Sequence, residues 1–536
     1  MQTPRRDLLK LAGGGMAASL MIANPLRAAD SAQVAGMHSG GSVYPVRRFG
    51  AVGDGTTIGT AAVNKAIDAA AAAGGGVVHF SAGTYACYSI HLKSNVTLYL
   101  DRGATILAAP TPAEGNSGGY DTPEPDQPWF KYQDYGHSHF HNSLIWGEDL
   151  HDCGIAGPGL IWGKGLDRGW SSHEHSRAEP HGGGNKSIAL KNCHNVFLKD
   201  FSILQGGWFA ILVTGVDNLT IDNLTIDTNR DGMDIDCCRN VRVSNCTVNS
   251  PWDDAIVPKS SFALGYARST ENVTISNCYV TGTYEMGSLL DGTLKKFPGA
   301  KDVPRIGRIK LGTESNGGFK NIAISNCVFE GCHGLALETV DGALLEDVAI
   351  TNITMRDIVT APIFLRLGAR MRGPANVPVG QLRRVLISNI VASNVNPQQC
   401  SILSGIPDHA IEDIKISDVF IQHQGGGTRE QAALHPPEVE NQYPEPNMFG
   451  ATPGQGFYLR HVKNIDMSHI EITSLAPDAR PGFVLEDVQG ADFLRVKMQK
   501  EASVPTFALH DVQNFNCALS RGVPDTTLAQ VTDKKI

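Results

Sequence analysis

The chain has 536 residues, of which 42% are hydrophobic, 7% aromatic and only 18% charged, with 58 glycines. This composition excludes wholesale disorder, and low charge with abundant glycine suits an exported, turn-rich β protein better than a cytosolic helical one. A formal net charge of −9 argues against a general nucleic-acid or anionic-membrane binder. An anionic polysaccharide stays open as a partner, because the local charges of a groove decide that question.

Arg5-Arg6-Asp7-Leu8-Leu9-Lys10 leads into an apolar run from Leu11 to Ala23, followed by the small residues Ala28-Ala29-Asp30-Ser31-Ala32. The pattern has the form of a twin-arginine export signal, with an ordinary secretory leader as the alternative. The expected division is a signal over residues 1–29, a linker over 30–43 and a single domain over 44–536, working in the periplasm or outside the cell. No later stretch has the roughly 18 uninterrupted apolar residues of a membrane span. A monomer is expected.

Phe49-Gly50-Ala51-Val52-Gly53-Asp54-Gly55 precedes an Ala-rich helix predicted over Thr60 to Ala73, closed by Gly74-Gly75-Gly76, with strands following at Val77–Phe80 and Asn95–Leu100. This reads as a cap over the open end of a sheet. Long polar, Pro/Gly/His-rich stretches over residues 110–135, 164–185, 281–306 and 424–455 read as turn insertions, and loops of that length on a rigid scaffold are often functional. His137-Ser138-His139-Phe140-His141 would set three imidazoles on one strand face. Groove lining or laddering explains them better than a metal, for lack of Cys or carboxylate partners at fixed spacing.

The middle of the chain repeats. Asn195-Val196-Phe197-Leu198, Asn218-Leu219-Thr220-Ile221 and Asn240-Val241-Arg242-Val243 share an Asn–aliphatic–x–aliphatic unit, and later copies begin at Asn272, Asn321, Asp347, Asp413 and Asn464. The first intervals are 23 and 22 residues. Short alternating strands at that period predict an all-β fold, a right-handed parallel β-helix (solenoid) with an N-terminal helical cap, in which longer intervals are insertions. Asn side chains would ladder at its turns. The 11 cysteines form no paired metal pattern, and Cys246, Cys278 and Cys327, each after Ser-Asn, read as a small buried column in the core.

The densest acidic stretches are Asn229-Arg230-Asp231-Gly232-Met233-Asp234-Ile235-Asp236 and Trp252-Asp253-Asp254-Ala255-Ile256-Val257-Pro258-Lys259. Asp231 and Asp253 are 22 residues apart, one coil, so they are expected to stack with Asp254 beside them. Carboxylates forced together raise at least one pKa, which leaves one acid and one or two bases, the pair that glycosidic cleavage needs. Asp234 and Asp236 are read as turn-capping or cation-binding residues. Trp208, Trp252 and Tyr458 are candidates for stacking on sugar rings, with core or rim packing as the alternative.

These motifs, with the cap at 49–85, give the chain its resemblance to glycoside hydrolase family 28, the polygalacturonases and rhamnogalacturonan hydrolases, over roughly residues 44–360. The family usually reads Asn-Thr-Asp-Gly-Ile-Asp and Gly-Asp-Asp-Cys-Ile-Ala-Ile-Lys-Ser at these places. The resemblance implies Asp253 as general acid, Asp231 and Asp254 as holders and activators of water, inversion at the anomeric carbon, and no metal or cofactor. Asn229, Arg308, Lys310, His333 and Glu338 are the implied groove candidates. Arg308-Ile309-Lys310 and Cys332-His333-Gly334 stand in reversed order relative to the family's Gly-His-Gly and Arg-Ile-Lys. Flanking residues argue that Gly334-Leu335-Ala336-Leu337-Glu338-Thr339 occupies the basic motif's place, so that Ala336 and Glu338 stand for Arg and Lys. On that register Glu338 would repel a uronate, and a neutral sugar such as rhamnose is expected at the cleaved bond. The expected activity is hydrolysis of pectic poly- or oligosaccharide, exo-acting or directed at rhamnogalacturonan, with weak action on plain polygalacturonate. A polysaccharide lyase and a noncatalytic adhesive or carbohydrate-binding β-helix are the alternatives.

Overall fold

The computed structural model describes residues 42–114, 117–167, 179–298 and 303–536; the leader over 1–29, most of the linker and the centre of the 164–185 insertion lie outside them. Ser42–Ile536 forms one compact unit. Its helix, Thr60–Ala72, buries Val63, Ala66, Ile67 and Ala70, the i, i+3, i+4, i+7 stripe of an amphipathic helix, against the first strands. The chain leaves the helix through Gly75 and Gly76, at φ 131° and 154°, where added Cβ atoms would meet Asn95 O at 2.6 Å and Ser42 O at 2.5 Å. Only glycine allows that approach.

From there the chain is a parallel β-helix. Strands His151–Ala156, His194–Lys199, Asp217–Asp222, Arg239–Ser244 and Thr270–Ser276 pair in parallel, each with the next coil. A second column runs from Leu160–Trp162 through Ser202–Leu204, Thr225–Asp227 and Thr247–Asn249 to Tyr279–Thr281. In the later coils these two columns fuse into long bent strands such as Phe319–Glu330 and Leu344–Arg356. The column that carries the site runs through Ile145–Glu148, Lys186–Lys191, Phe209–Thr214, Asp231–Asp236 and Ile256–Lys259. It continues into Lys310–Leu311, Leu335–Thr339, Ile363–Leu367 and Ser401–Ser404.

The repeat residues are turn residues. Asn195, Asn218, Asn240, Asn272, Asn321, Asp347, Asp413 and Asn464 all have left-handed backbone, φ between 53° and 59°, which Asn and Asp tolerate best among residues with a Cβ. Their side chains climb the helix as a ladder. Asn218 donates to Asn195 at 2.9 Å, Asn240 to Asn218 at 3.2 Å, Asn272 to Asn240 at 3.1 Å and Asn321 to Asn272 at 2.8 Å. Inside, aliphatic side chains stack from coil to coil, and Phe457, Phe483 and Phe507 repeat at one register position with centroids 5.6 and 5.1 Å apart. All 11 cysteines are buried and unbridged. At the C-terminal end Thr526–Lys535 pairs antiparallel with Phe507–Ala518, covering a strand edge in a way the repeat does not announce.

Asn240→Ala should lower stability by about 1–3 kcal/mol, from left-handed strain and lost ladder bonds together. Asn240→Gly should cost less, because glycine removes the strain. Denaturant midpoints of the two variants measure the difference.

Candidate active site

Asp231 opens the strand Asp231–Asp236, and Asp254 ends the turn just before Ile256–Lys259. The ladder pairs Met233 with Ile256 and Asp234 with Val257, and Gly232 N donates to Asp254 O at 2.9 Å. The coil offset here is therefore one residue longer than the sequence spacing suggests. Asp231 stacks on Asp254, and Asp253 reaches in from the turn; the expected stacking of Asp231 on Asp253 is corrected. The three carboxylates still converge, each placing an oxygen within 4.8 Å of the others.

Their environments pull them apart. Asp231 is buried, and burial, with the negative charges of Asp234 and Asp253, raises its pKa well above the usual carboxylate range. Asp254 is equally buried, but Arg308 and Lys310 outweigh that burial and lower its pKa. Arg308 Nε lies 2.7 Å and Lys310 Nζ 3.2 Å from its two oxygens. Asp253 is the most open of the three, with its side chain 21% exposed. It accepts from Arg230 Nε and Nη2 at 3.1 and 3.0 Å and from the Asp254 amide at 3.0 Å. Burial thus favours the protonated form of Asp231, while the two cations favour the ionised form of Asp254. Three aspartates are also a possible donor set for a cation, but Arg230, Arg308 and Lys310 already neutralise two of them, so the site does not call for a metal.

Arg308 and Lys310 sit beside the carboxylates themselves, and Lys310 stacks in register on Ala336 of the following coil. Positive charge is therefore supplied from the coil before the position the flanking residues suggested. Glu338 has no exposed surface. Its Oε2 lies 3.6 Å from Lys310 Nζ and 3.2 Å from Thr313 Oγ1, and burial raises its pKa to about 7 against the pull of Lys310 and Arg308. A group so covered does not meet a sugar. The expectation that Glu338 repels a uronate is corrected, and with it the argument for a neutral sugar at the cleaved bond.

His333 borders the cavity, whereas Asn229 is buried against Thr228 and does not line it. Two residues that the motifs do not point to complete the site. Glu445 forks onto the Arg308 guanidinium with both oxygens, Nη1 to Oε2 measuring 3.2 Å. The Tyr443 hydroxyl accepts from Lys310 Nζ at 3.1 Å and Thr313 Oγ1 at 2.9 Å, while its ring leaves the side chain half exposed at the cavity. Both come from the 424–455 insertion. Buried Arg366 and Arg460 fasten that segment by donating to the carbonyls of Glu438 at 2.9 Å and of Pro436 and Pro437 at 2.7 and 2.9 Å. The only sequence signal was a lone acid held between Pro444 and Pro446.

The histidine run is not a strand face. Tyr135–Ser138 is a helical turn, so the imidazoles diverge. His137 Nε2 meets Asp234 at 3.0 Å, His139 Nδ1 meets Tyr135 O at 2.8 Å, and His141 Nε2 meets Glu148 at 3.1 Å. His141, Glu124 and Glu148 do form a ligand-like cluster, but Lys191 lies 2.7 Å from Glu148 and supplies the opposing charge. Asp236 is held by Ser261 and Thr214, a structural role. Trp208 is fully buried beneath Arg230, and Tyr458 is buried with its hydroxyl on Glu486 at 2.6 Å. Trp252 packs edge-on against Phe297. Tyr443 is the aromatic residue that the cavity presents to a sugar.

Comparison with known proteins agrees with this fold. The family model described as rhamnogalacturonase A/epimerase, pectate lyase-like, matches residues 43–253. A probable polygalacturonase of Vitis vinifera is 25% identical over 399 residues, covering 70% of this chain and 73% of its own. Among solved structures, a hyperthermoactive exopolygalacturonase of Thermotoga maritima superposes with a TM-score of 0.57 at 19% identity, over 71% of this chain and 87% of that one. A family 28 exopolygalacturonase of Yersinia enterocolitica gives 0.51 at 17% identity, over 87% and 79%; at such identities these two show the shared fold. Fold and acidic cluster together define a glycoside hydrolase built on a parallel β-helix. Within that class the chain is polygalacturonase-like, and its sequence resemblance to glycoside hydrolase family 28 holds.

The buried Glu338 gives a stability prediction. Its folded pKa near 7 lies above the 4.5 of a free carboxyl, so between those values the folded state binds more protons, and stability falls as pH rises through the window. Glu338→Gln should flatten that fall, by on the order of 2 kcal/mol at pH 8 relative to pH 4.5. Unfolding midpoints across pH 4.5–8 measure it.

Proposed function

We propose that the protein is an exo-acting hydrolase of pectic polysaccharide and its oligosaccharides, working by an acid/base mechanism with inversion. The observation that carries this reading is the cavity that turn insertions wall beside two of the carboxylates. A cavity of about 570 Å³ opens beside Asp253 and Asp254, with Val303–Ile306 of one insertion and Tyr443, Glu445 and Asn447 of another among its lining residues. That volume is ordinary for a small-ligand pocket. Walls raised by turn insertions favour a chain end over a chain middle.

In this reading Asp253, which borders the cavity, protonates the leaving oxygen. Asp254, held ionised by Arg308 and Lys310, takes the proton of the attacking water, and Asp231 orients that water from the other side. Asp231, whose pKa burial raises, lies in the same cluster and is assigned as the source of the proton that Asp253 delivers. Lys310 is buried and paired with Asp254 and Glu338 at 3.2 and 3.6 Å, which raises its pKa well above the ordinary value against its burial. Substrate contact is assigned to His333, which lines the cavity, while the buried Arg308 and Lys310 set the charge of the carboxylates and Asn229 and Glu338 stand behind them. Export through a twin-arginine route is part of the proposal and rests on Arg5-Arg6 and the run that follows. Among the described residues no helix is long and apolar enough to cross a membrane.

Asp253→Asn should cut reducing-sugar release about 100- to 10,000-fold while leaving oligosaccharide binding in place; unchanged activity would remove Asp253 from the acid role, and products absorbing in the ultraviolet would make the enzyme a lyase. Exo action predicts one small product from the first minutes on pectic substrate, against a ladder of mixed lengths for endo action. The carboxylate oxygens approach more closely than the roughly 6.5–9.5 Å between the carboxyls of most inverting enzymes, so stereochemistry is a direct check. Proton NMR of the first product should show the anomer opposite to that of the bond cleaved.

A further inference from the structure

The cations nearest the carboxylates are already engaged. Arg230 is held by Asp253, while Arg308 and Lys310 are shared by Asp254 and Glu445. None of them is left with surplus charge for a ligand. Arg305 differs. It lines the same cavity and is half-buried, and among the described residues it forms neither a hydrogen bond nor an ion pair. Its backbone is left-handed, φ 54°, an uncommon setting for a residue with a Cβ.

A second, independent observation lies in the same cavity. His333 is 9% exposed, and its Nδ1 has no hydrogen-bond partner. Its nearest carboxylate oxygen, Glu445 Oε2, is 3.7 Å away, an ion-pair distance when the imidazole is charged but longer than a hydrogen bond. Buried polar atoms are nearly always paired, and an orphan is costly unless a ligand completes it.

From these features, and resting on the exo-hydrolase reading, we infer that Arg305 and His333 together read the carboxylate of a uronic acid unit held in the cavity beside the scissile bond. Arg305 supplies the positive charge that the engaged cations cannot, and His333 donates its Nδ1 proton to a carboxylate oxygen. The half-exposed Tyr443 ring offers the unit a face on which to rest. The specificity for an anionic sugar then comes from the 281–306 insertion, and Arg308 and Lys310 serve to hold Asp254 ionised.

The test compares trigalacturonate with its methyl ester, and galacturonate with galactose. Arg305→Gln should lower kcat/KM on trigalacturonate about 10- to 100-fold, the usual worth of a charge-assisted hydrogen bond. Most of the loss should fall in KM, the methyl ester should lose far less, and Arg305→Lys should restore part of it. In the Asp253→Asn background, calorimetry should show galacturonate binding tighter than galactose, a preference that Arg305→Gln or His333→Gln removes. Equal losses on acid and ester, or equal binding of galacturonate and galactose, would overturn the inference. Discrimination in binding without cleavage of any galacturonate oligomer would instead end the hydrolase reading and leave the carboxylate site standing. A thermal midpoint for each variant separates these effects from misfolding.

Discussion

A coil of a parallel β-helix buries its aliphatic side chains only while it stays in register with its neighbours, because a slip of one residue turns every side chain to the opposite face. In this protein the register is pinned at the corners. Left-handed Asn and Asp residues recur at equivalent turns and hydrogen-bond from coil to coil, as in the run Asp152, Asn195, Asn218, Asn240, Asn272 and Asn321. Each ladder residue satisfies its neighbour's amide and bends the chain at a fixed place. The strands between corners are therefore constant in phase while the loops between coils vary in length. That separation of scaffold from loop allows long insertions beside the site without disturbing the aliphatic core.

The site exploits the same register to bring like charges together. Asp231 and Asp254 occupy adjoining coils at one position and would repel each other in any loop free to move. Here the backbone ladder holds them, and the following coil delivers Arg308 and Lys310 to the same point. The outcome is a difference in environment: burial and negative neighbours favour a proton on Asp231, and two cations favour the ionised form of Asp254. Glu445, brought by the 424–455 segment, takes the other face of Arg308. The cations are thus paired with carboxylates on both sides.

Much of this was legible in the sequence, and each part had a local cause. Repetition of Asn–aliphatic–x–aliphatic at about one coil length revealed the solenoid, since every coil must solve the same turn and core problem. The Ala-rich run from Thr60 onward, stopped by three glycines, marked the helix of the cap. Asp231 with Asp253 and Asp254 marked the acidic cluster, whose carboxylate oxygens converge within 4.8 Å. Ser-Asn before Cys246, Cys278 and Cys327 marked a stacked core column, and these cysteines are buried and unbridged.

What only the tertiary structure decided concerns distances along chain that no spacing encodes. The coil offset at the site is one residue longer than the interval from Asp231 to Asp253, so the partner stacked on Asp231 is Asp254. Glu338, read as facing a sugar, is buried behind Lys310, because strand alternation does not say which polar face an insertion will cover. Tyr443 and Glu445 reach the site from more than 130 residues beyond Arg308 and Lys310, carried by a loop whose path is fixed by the buried guanidiniums of Arg366 and Arg460. The sequence by itself determined the repeating scaffold and its acids, which depend on local turn and strand preferences. The closure of the site and its charge pairing depend on contacts between segments remote in the chain, and those exist only once the coils have stacked.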